Sequence, residues 1–247
     1  MGEITPSPLR RNPRRIDATA VHETIVRLEQ RIAARFPESG LRRVAQELIQ
    51  VARDATERIA SIRRRSLIIR IFTWLLAIAI LAILATIPLR LKVEDVNTVG
   101  DAVQLLESAL GSSFFIGTCI LFLVSMDGRM RRNRALRAIH ELRAMAHVVD
   151  MHQLTKDPQI VMGGVESTAS SPQRSLTRFE LARYLDYCSE LLSLSSKLAA
   201  LHVQYVNDHV VLDAVNDIET LAASLSNKIW QKIMILDTVA PDGARPR

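Results

Sequence analysis

The chain has 247 residues, of which 48% are apolar but only 4% aromatic, and glycine and proline contribute just 9 each. This composition is typical of an all-α chain. The net charge of +6 comes from 27 Arg and 5 Lys. Because no aromatic residues interleave with these cations, we expect anionic lipid head groups as partners and no nucleic acid. Residues 1–16 combine basic residues with three prolines, which predicts a disordered basic tail.

Residues 17–66 are predicted to form a helical hairpin that serves as a cytoplasmic stalk. Asp17 or Thr19 can cap a first helix, whose apolar residues recur every three or four positions until Pro37 ends it. A second helix follows, with a heptad-like spacing of its apolar residues Leu41, Val44, Leu48, Val51, Ala55, Ile59 and Ile62. Since neither Gly nor Pro separates this helix from the next apolar run, it can continue directly into that run.

Two uncharged runs in the middle of the chain predict a transmembrane hairpin over residues 67–126. Ile71–Leu89 and Ser108–Met126 each contain 19 residues without a charge. Each run covers about 28 Å as a helix, close to the ~30 Å hydrocarbon core of a bilayer. The predicted parts are spans at about 69–89 and 107–126, joined by a short outer loop at 90–106. A buried core helix of a soluble protein fits less well, because such helices are usually shorter and interrupted by polar residues.

Small or weakly polar residues share one side of the second predicted span. At about 100° per residue they form a stripe that lets a neighbouring backbone come close, which is how helices associate in lipid. The stripe consists of Ser108, Gly111, Ser112, Thr118, Cys119 and Ser125. In a ring of identical chains, the hydroxyl-bearing members of this stripe would line a pore.

Arginines flank the two predicted spans on the same side of the membrane. They are Arg63, Arg64, Arg65 and Arg70 before the first span, and Arg129, Arg131, Arg132 and Arg134 after the second. The connecting segment from Arg90 to Glu107 instead has two basic and four acidic residues. The excess of basic residues marks the cytoplasmic side. We therefore expect both termini in the cytoplasm of a multi-pass inner (plasma) membrane protein, with these arginines at the lipid head groups.

The chain after the second span is predicted to form further cytoplasmic helices. Residues 127–154 lack Pro and hold only Gly128, and we expect them to continue the span as a helix that packs on the stalk. Residues 155–174 contain two prolines, two glycines and a polar run, which predicts a flexible linker. Residues 175–237 are predicted to form an antiparallel helical hairpin, and residues 238–247 a tail.

The last predicted helix has the most regular heptad of the chain. Its apolar positions are Val211, Val215, Ile218, Ala222, Leu225 and Ile229, and Lys232 departs from the pattern. The helix before it has a capping-box spacing at Thr177 and Glu180. It carries a similar stripe, made of Leu181, Tyr184, Cys188, Leu191, Ser195, Leu198 and Leu201. Two such stripes need a covering surface, which is either the stalk or another subunit. The sequence therefore predicts a homo-oligomer or a protein partner in a membrane complex.

Residues that could support catalysis are sparse. His140 and Glu141 begin a zinc-protease motif, but Ala144 stands where its second His is required. His140, His147 and Asp150 can share one helix face as weak metal candidates, yet one helix cannot close a four-ligand site. Neither a Gly-rich phosphate loop nor a nucleophile elbow occurs in the sequence. We therefore expect no catalytic residue, no metal and no cofactor.

Four segments resemble a family of uncharacterised bacterial two-span inner-membrane helical proteins. They are RFPESGL at Arg35–Leu41, HVVDMHQLTKDP at His147–Pro158, RYLDYCSELLSL at Arg183–Leu194 and KIWQKIMIL at Lys228–Leu236. That family has no assigned activity, so the resemblance implies a bacterial inner membrane and assigns no functional residue.

Together, these patterns predict an all-α integral membrane protein with a two-helix transmembrane hairpin and a cytoplasmic helical bundle. The expected role is non-enzymatic scaffolding or assembly through helix–helix contacts. The main alternative is a homo-oligomeric pore-forming membrane effector of a bacterial defence type. A third hypothesis is an enzyme with its site in the cytoplasmic bundle, which a bound metal or cofactor in the purified protein would indicate.

Overall fold

The computed structural model describes residues 15–57, 99–158 and 176–238, together with positions 71, 74–76, 78 and 82. Among these residues 91% are helical and none is in a strand, which confirms the predicted all-α class. The helices are α1 (Ala18–Arg35), α2 (described over 40–57), α3 (Val99–Leu154), α4 (Arg178–Tyr205) and α5 (His209–Thr238). The described single positions between α2 and α3 are helical as well.

Several predictions concern parts of the chain outside the described residues. These parts are most of the basic tail, the end of the stalk with Arg63, Arg64, Arg65 and Arg70, most of the first span, the outer loop up to residue 98, most of the linker, and the C-terminal tail. The second span, the helix after it and the final hairpin lie within the described residues.

The chain divides into two units. The first, called here the bundle unit, contains residues 1–57 and 134–247, and the second, called the apolar unit, contains residues 58–133. Each is described separately below, with α3 contributing residues 99–133 to the apolar unit and 134–154 to the bundle unit.

The ends of the bundle helices are fixed by side chains of the expected types. Asp17 accepts a hydrogen bond from the Thr19 amide (2.9 Å) and caps α1, which decides between the two predicted caps. At α4 the capping box is complete, with the Glu180 amide donating to Thr177 Oγ1 (3.2 Å) and the Thr177 amide donating to Glu180 Oε2 (2.8 Å). The bonds that the Thr177 amide and then the Thr177 hydroxyl donate to Glu180 Oε2 lower the pKa of Glu180, because they stabilise its carboxylate form. Such caps satisfy backbone amides that have no partner within the helix.

α1 and α2 form a hairpin held by polar contacts across its two helices. Glu29 of α1 accepts hydrogen bonds from Arg42 Nε (3.1 Å) and Gln46 Nε2 (3.2 Å) of α2. The apolar stripe predicted for α1 is buried at Val21, Ile25, Leu28 and Ile32. Burial of this stripe gives α1 one face in the core and one face in solvent.

α4 lies at the centre of the bundle unit, because it contacts both α1 and α5. Of its 28 residues, 13 are buried, too many for a single apolar stripe. The predicted stripe is buried throughout, and so are residues on its flanks. The flanking buried residues are Leu185, Tyr187, Leu192, Leu194, Ala199 and His202. A helix with neighbours on two sides must bury a correspondingly wider arc of its surface.

The bundle part of α3 contacts both α2 and α5. Its buried residues include Ile139, Leu142, Ala146 and Val149. Arg143 pairs with Asp217 of α5 across 3.8 Å, and ten residues further along α3 Gln153 bonds to Lys232 of α5. From the first pair to the second, the residue number rises in both helices. α3 and α5 therefore run parallel to one another here.

Candidate functional site

The apolar unit presents its side chains to the surroundings of the chain. None of its described residues is buried. Phe114 and Phe115 are each 73% exposed and Leu121 is 70% exposed. Among the described residues, one helix is long and apolar enough to cross a membrane, and none of its most apolar part is covered by the chain. The second predicted span therefore coincides with an uncovered apolar helix.

The predicted stripe of small residues lies on this uncovered helix. Ser108, Gly111, Ser112, Thr118, Cys119 and Ser125 are all exposed. A Cβ added at Gly111 would meet no atom within 4 Å. The Thr118 hydroxyl donates to the Phe114 carbonyl (2.9 Å), so its own helix satisfies this group. Within the described part of the chain, the stripe is thus open to a neighbour.

The arginines after the apolar helix differ in their surroundings. Arg129 is exposed, whereas Arg132 and Arg134 are half-buried. Arg131 forms an ion pair with Asp127 one turn earlier. Its charge is therefore partly neutralised, and Arg129 is the more open of the two toward an external anion.

The heptad of α5 faces α4 inside the bundle unit. Val211, Val215, Ile218, Ala222, Leu225 and Ile229 are all buried, with Ile218 and Ile229 at 0% exposure. α5 has extensive contacts with α4 along this face. From the sequence alone, this surface could pack on either the stalk or another subunit. In the structure it is buried within the chain, so it is unavailable to a partner while the bundle is folded.

Aromatic and arginine side chains join α1 to α4. Tyr187 is 2% exposed, and the guanidinium groups of Arg31 and Arg183 lie 5.6 and 5.2 Å from the centroid of its ring. Arg31 also forms a two-pronged ion pair with Glu190. The hydrogen bond to Glu190 raises the pKa of Arg31 further above its already high ordinary value. Sequence periodicity identified Tyr184 but missed Tyr187, because Tyr187 lies off the main stripe.

Lys232 bonds to the end of α3, which accounts for its departure from the heptad. Its Nζ donates to the Gln153 carbonyl (2.8 Å) and to Gln153 Oε1 (2.7 Å). Gln153 is 1% exposed, and its amide nitrogen donates in turn to Asp150 Oδ1 (2.5 Å). The cation lies at a helix C-terminus, where positive charge is favoured. This network ties α5 to α3.

The weak metal candidates are not assembled into a site. His140 and His147 are exposed, and Asp150 is half-buried and engaged with Gln153. Among the described residues, no group of three His, Cys, Asp or Glu side chains could hold a metal ion. His202 is buried in the last turn of α4, and His209 is the first residue of α5.

The two cysteines lie in contrasting environments. Cys119 is exposed on the apolar helix, and Cys188 is fully buried in α4. Burial raises the pKa of the Cys188 thiol to about 12, against the weaker opposing effect of Lys156 and Lys232. A thiol with so high a pKa is protonated at neutral pH and is a poor nucleophile.

The outer surface of the bundle unit carries several large apolar residues. Met151 is 67% exposed and Trp230 is 61% exposed, at the ends of α3 and α5 that the Lys232–Gln153 contact joins. Leu154, Phe179 and Met234 are also exposed. Periodicity could not locate these residues, because they lie outside the buried stripes.

The proposed function rests on the sequence and the structure, because comparison with known proteins finds no match. No family model, no curated protein and no solved structure matches this chain. The fold and surfaces described above define the class: an all-α chain with a helical bundle unit and an uncovered apolar helix long enough to cross a bilayer.

Proposed function

We propose that this chain is a two-span integral protein of the bacterial inner membrane, with both termini in the cytoplasm. The observation that carries the proposal is the uncovered apolar surface of α3, where Phe114, Phe115 and Phe122 are at least 65% exposed. Transfer of a side chain such as Phe or Leu out of water is worth roughly 1.5–3 kcal/mol. A continuous helix face of such residues exceeds the apolar patches that water-soluble monomers tolerate. Lipid supplies the missing cover.

The residues around the apolar helix support the same arrangement. Trp74 and Leu75 of the first uncharged run are also exposed, at 68% and 61%. The second uncharged run ends at Asp127 and is followed by the arginine-rich segment from Arg129 to Arg134. This order, an apolar length followed at once by basic residues, is the pattern expected where a span meets the cytoplasmic head groups. The bacterial inner membrane in this proposal comes from the sequence resemblance to bacterial two-span inner-membrane proteins.

Cysteine accessibility tests both insertion and topology. In a variant without native cysteines, Val99→Cys places a thiol at the start of α3, and Ser224→Cys places one on the exposed surface of α5. A membrane-impermeant maleimide added to intact spheroplasts should label the first and spare the second. After the membrane is opened, both should react. Equal labelling of both in intact cells, or release of the protein from membranes by alkaline carbonate, would contradict the proposal.

We propose further that the protein is a non-enzymatic scaffold or assembly subunit. The support is the outer surface of the bundle unit, where Met151 and Trp230 remain exposed although the core stripes are covered within the chain. The test is the native mass of the full chain after gentle detergent extraction from its host, compared with a Met151→Glu, Trp230→Glu variant. A defined complex that this variant loses would support scaffolding. A monomeric parent protein would contradict it.

The second candidate function is a homo-oligomeric pore, as in a pore-forming defence effector. It is favoured by one observation, the open stripe that carries Ser112, Thr118 and Ser125 on the apolar helix. In liposomes containing the purified protein, Thr118→Leu with Ser125→Leu should reduce ion flux by replacing hydroxyl groups along the path. Leu121→Ala, outside the stripe, is the matched control. An impermeable parent protein would rule out the pore.

A further inference from the structure

The start of α2 and the end of α3 meet at His152 and Gly40. His152 lies in the last turn of α3, and Gly40 is the first helical residue of α2. A Cβ added at Gly40 would lie 2.9 Å from His152 Nε2, 3.2 Å from Nδ1, and closer still to Cε1. Only glycine therefore lets the imidazole ring rest on the backbone at this corner without displacement.

The charges that act on this ring are both positive. Arg43 approaches from α2, and Lys156 approaches from the segment just after α3. Lys156 is itself held over the Tyr184 ring of α4, with its Nζ 5.1 Å from the ring centroid. Burial and then these two cations lower the pKa of His152 below its usual value. The ring is consequently neutral at pH 7, and a proton on it would add a third positive charge to the corner.

We propose that His152 is an acid-sensitive latch between α3 and the start of α2: the neutral ring packs on Gly40, and the protonated ring leaves the corner. The latch is independent of the membrane proposal, since it involves the bundle unit alone. Its elements are a close backbone approach, two cations that act on the ring and one group that titrates near physiological pH.

The direction of the effect follows from proton linkage. In the open state the ring has its ordinary pKa of about 6.5, and in the closed state its pKa is lower. Below pH 6.5 the open state therefore binds a proton that the closed state does not. The opening equilibrium should rise by up to about tenfold per pH unit, until the pH reaches the pKa of the closed state. Above pH 7 the latch should not respond to pH.

Hydrogen exchange of the full-length protein in detergent micelles tests the latch. Peptides covering residues 36–45 and 147–158 should lose protection between pH 7.5 and 5.5, after correction for the intrinsic pH dependence of exchange, whereas a peptide from the middle of α5 should not. His152→Gln, which cannot titrate, should abolish the difference, and His147→Gln, an exposed histidine on the same helix, should leave it intact. Identical acid responses in the parent protein and His152→Gln would overturn the proposal, as would no response in the parent.

Two further variants separate the latch from a general weakening of the fold. Arg43→Gln removes one cation and should move the midpoint of the His152 titration toward 6.5, as measured by NMR of the imidazole. Arg53→Gln, an exposed arginine further along α2, should leave that midpoint unchanged. Gly40→Ala should expel the ring, raise the midpoint toward 6.5 and remove protection already at pH 7.5. A midpoint insensitive to both Arg43→Gln and Gly40→Ala would show that the ring is not at this corner.

Discussion

Lys232 Nζ lies 2.8 Å from the main-chain carbonyl of Gln153 and 2.7 Å from its side-chain oxygen. One lysine thus satisfies two acceptors at the end of α3, a helix whose last carbonyls have no partners within it. In the sequence this lysine occupies a position of an otherwise apolar heptad. In the structure it joins α5 to the end of α3.

The first prediction concerns this contact. Lys232→Met keeps the length and apolar stem of the side chain but removes its donors. Because Gln153 is 1% exposed, its oxygen atoms would lose a charged partner in a place that water reaches poorly. The expected loss is about 1–3 kcal/mol of unfolding free energy, measured by chemical unfolding of the full chain in detergent. Lys228→Met, at an exposed position of α5, should change it by less than ~0.5 kcal/mol. If Lys232→Met and Lys228→Met lowered the unfolding free energy equally, the loss would come from removing a positive charge and not from the contact with Gln153.

The second prediction concerns the pair of Arg31 and Glu190. Their side chains are 46% and 31% exposed, so solvent screens the attraction. A double-mutant cycle with Arg31→Ala and Glu190→Ala should give a coupling of about 1 kcal/mol or less. Arg31→Ala should cost more than Glu190→Ala, since the arginine also covers the Tyr187 ring. The control is the exposed Arg27–Glu23 pair at 3.7 Å, whose coupling should be smaller than that of Arg31 and Glu190. An equally large coupling would contradict this prediction.

The parts of the fold that follow from local sequence could be predicted. The stripes of α1 and α5 and the capping box of α4 each depend on residues within a few positions of one another. For α2 the heptad spacing placed Val51 in the core, whereas Ala52 is buried at 1% exposure and Val51 is half-buried. A straight helix has 3.6 residues per turn and drifts from a 3.5-residue repeat by ~20° per heptad.

The contacts between distant residues could not be predicted. Tyr187 against Arg31, Lys232 against Gln153 and His152 against Gly40 each join helices far apart in sequence. Nothing local distinguishes an arginine that faces solvent from one that covers a buried ring. The uncovered apolar helix is the opposite case, because the length and composition of an uncharged run can be read directly from the sequence and are what crossing a bilayer requires.

The third prediction concerns the α5 heptad. Ile218 is 0% exposed, so Ile218→Ala should lower the unfolding free energy by about 2–5 kcal/mol through the cavity it leaves. Ile218→Asp should unfold the α4–α5 hairpin, because it buries an unpaired charge. Leu212→Ala, at a residue 45% exposed on the same helix, is the control and should cost much less. If Ile218→Asp instead left a folded monomer and dispersed an oligomer, the stripe would be a subunit interface.

The fourth prediction uses Cys188 as a probe of the bundle. In a Cys119→Ser variant it is the remaining thiol, fully buried and with a pKa of about 12. Maleimide in excess at pH 7 should therefore label the folded protein very slowly, and label it completely in denaturant.

Alkaline pH should also destabilise the bundle through this thiol. An unfolded cysteine ionises near its ordinary pKa of 9, whereas the folded one does so near 12. Between these values the unfolded state releases a proton that the folded state keeps, so stability falls as the pH rises. Cys188→Ala should remove that part of the alkaline slope in unfolding experiments, although its small cavity lowers stability at every pH. Rapid labelling of the folded variant at pH 7, or a slope unchanged by Cys188→Ala, would show that the thiol is not enclosed between the helices.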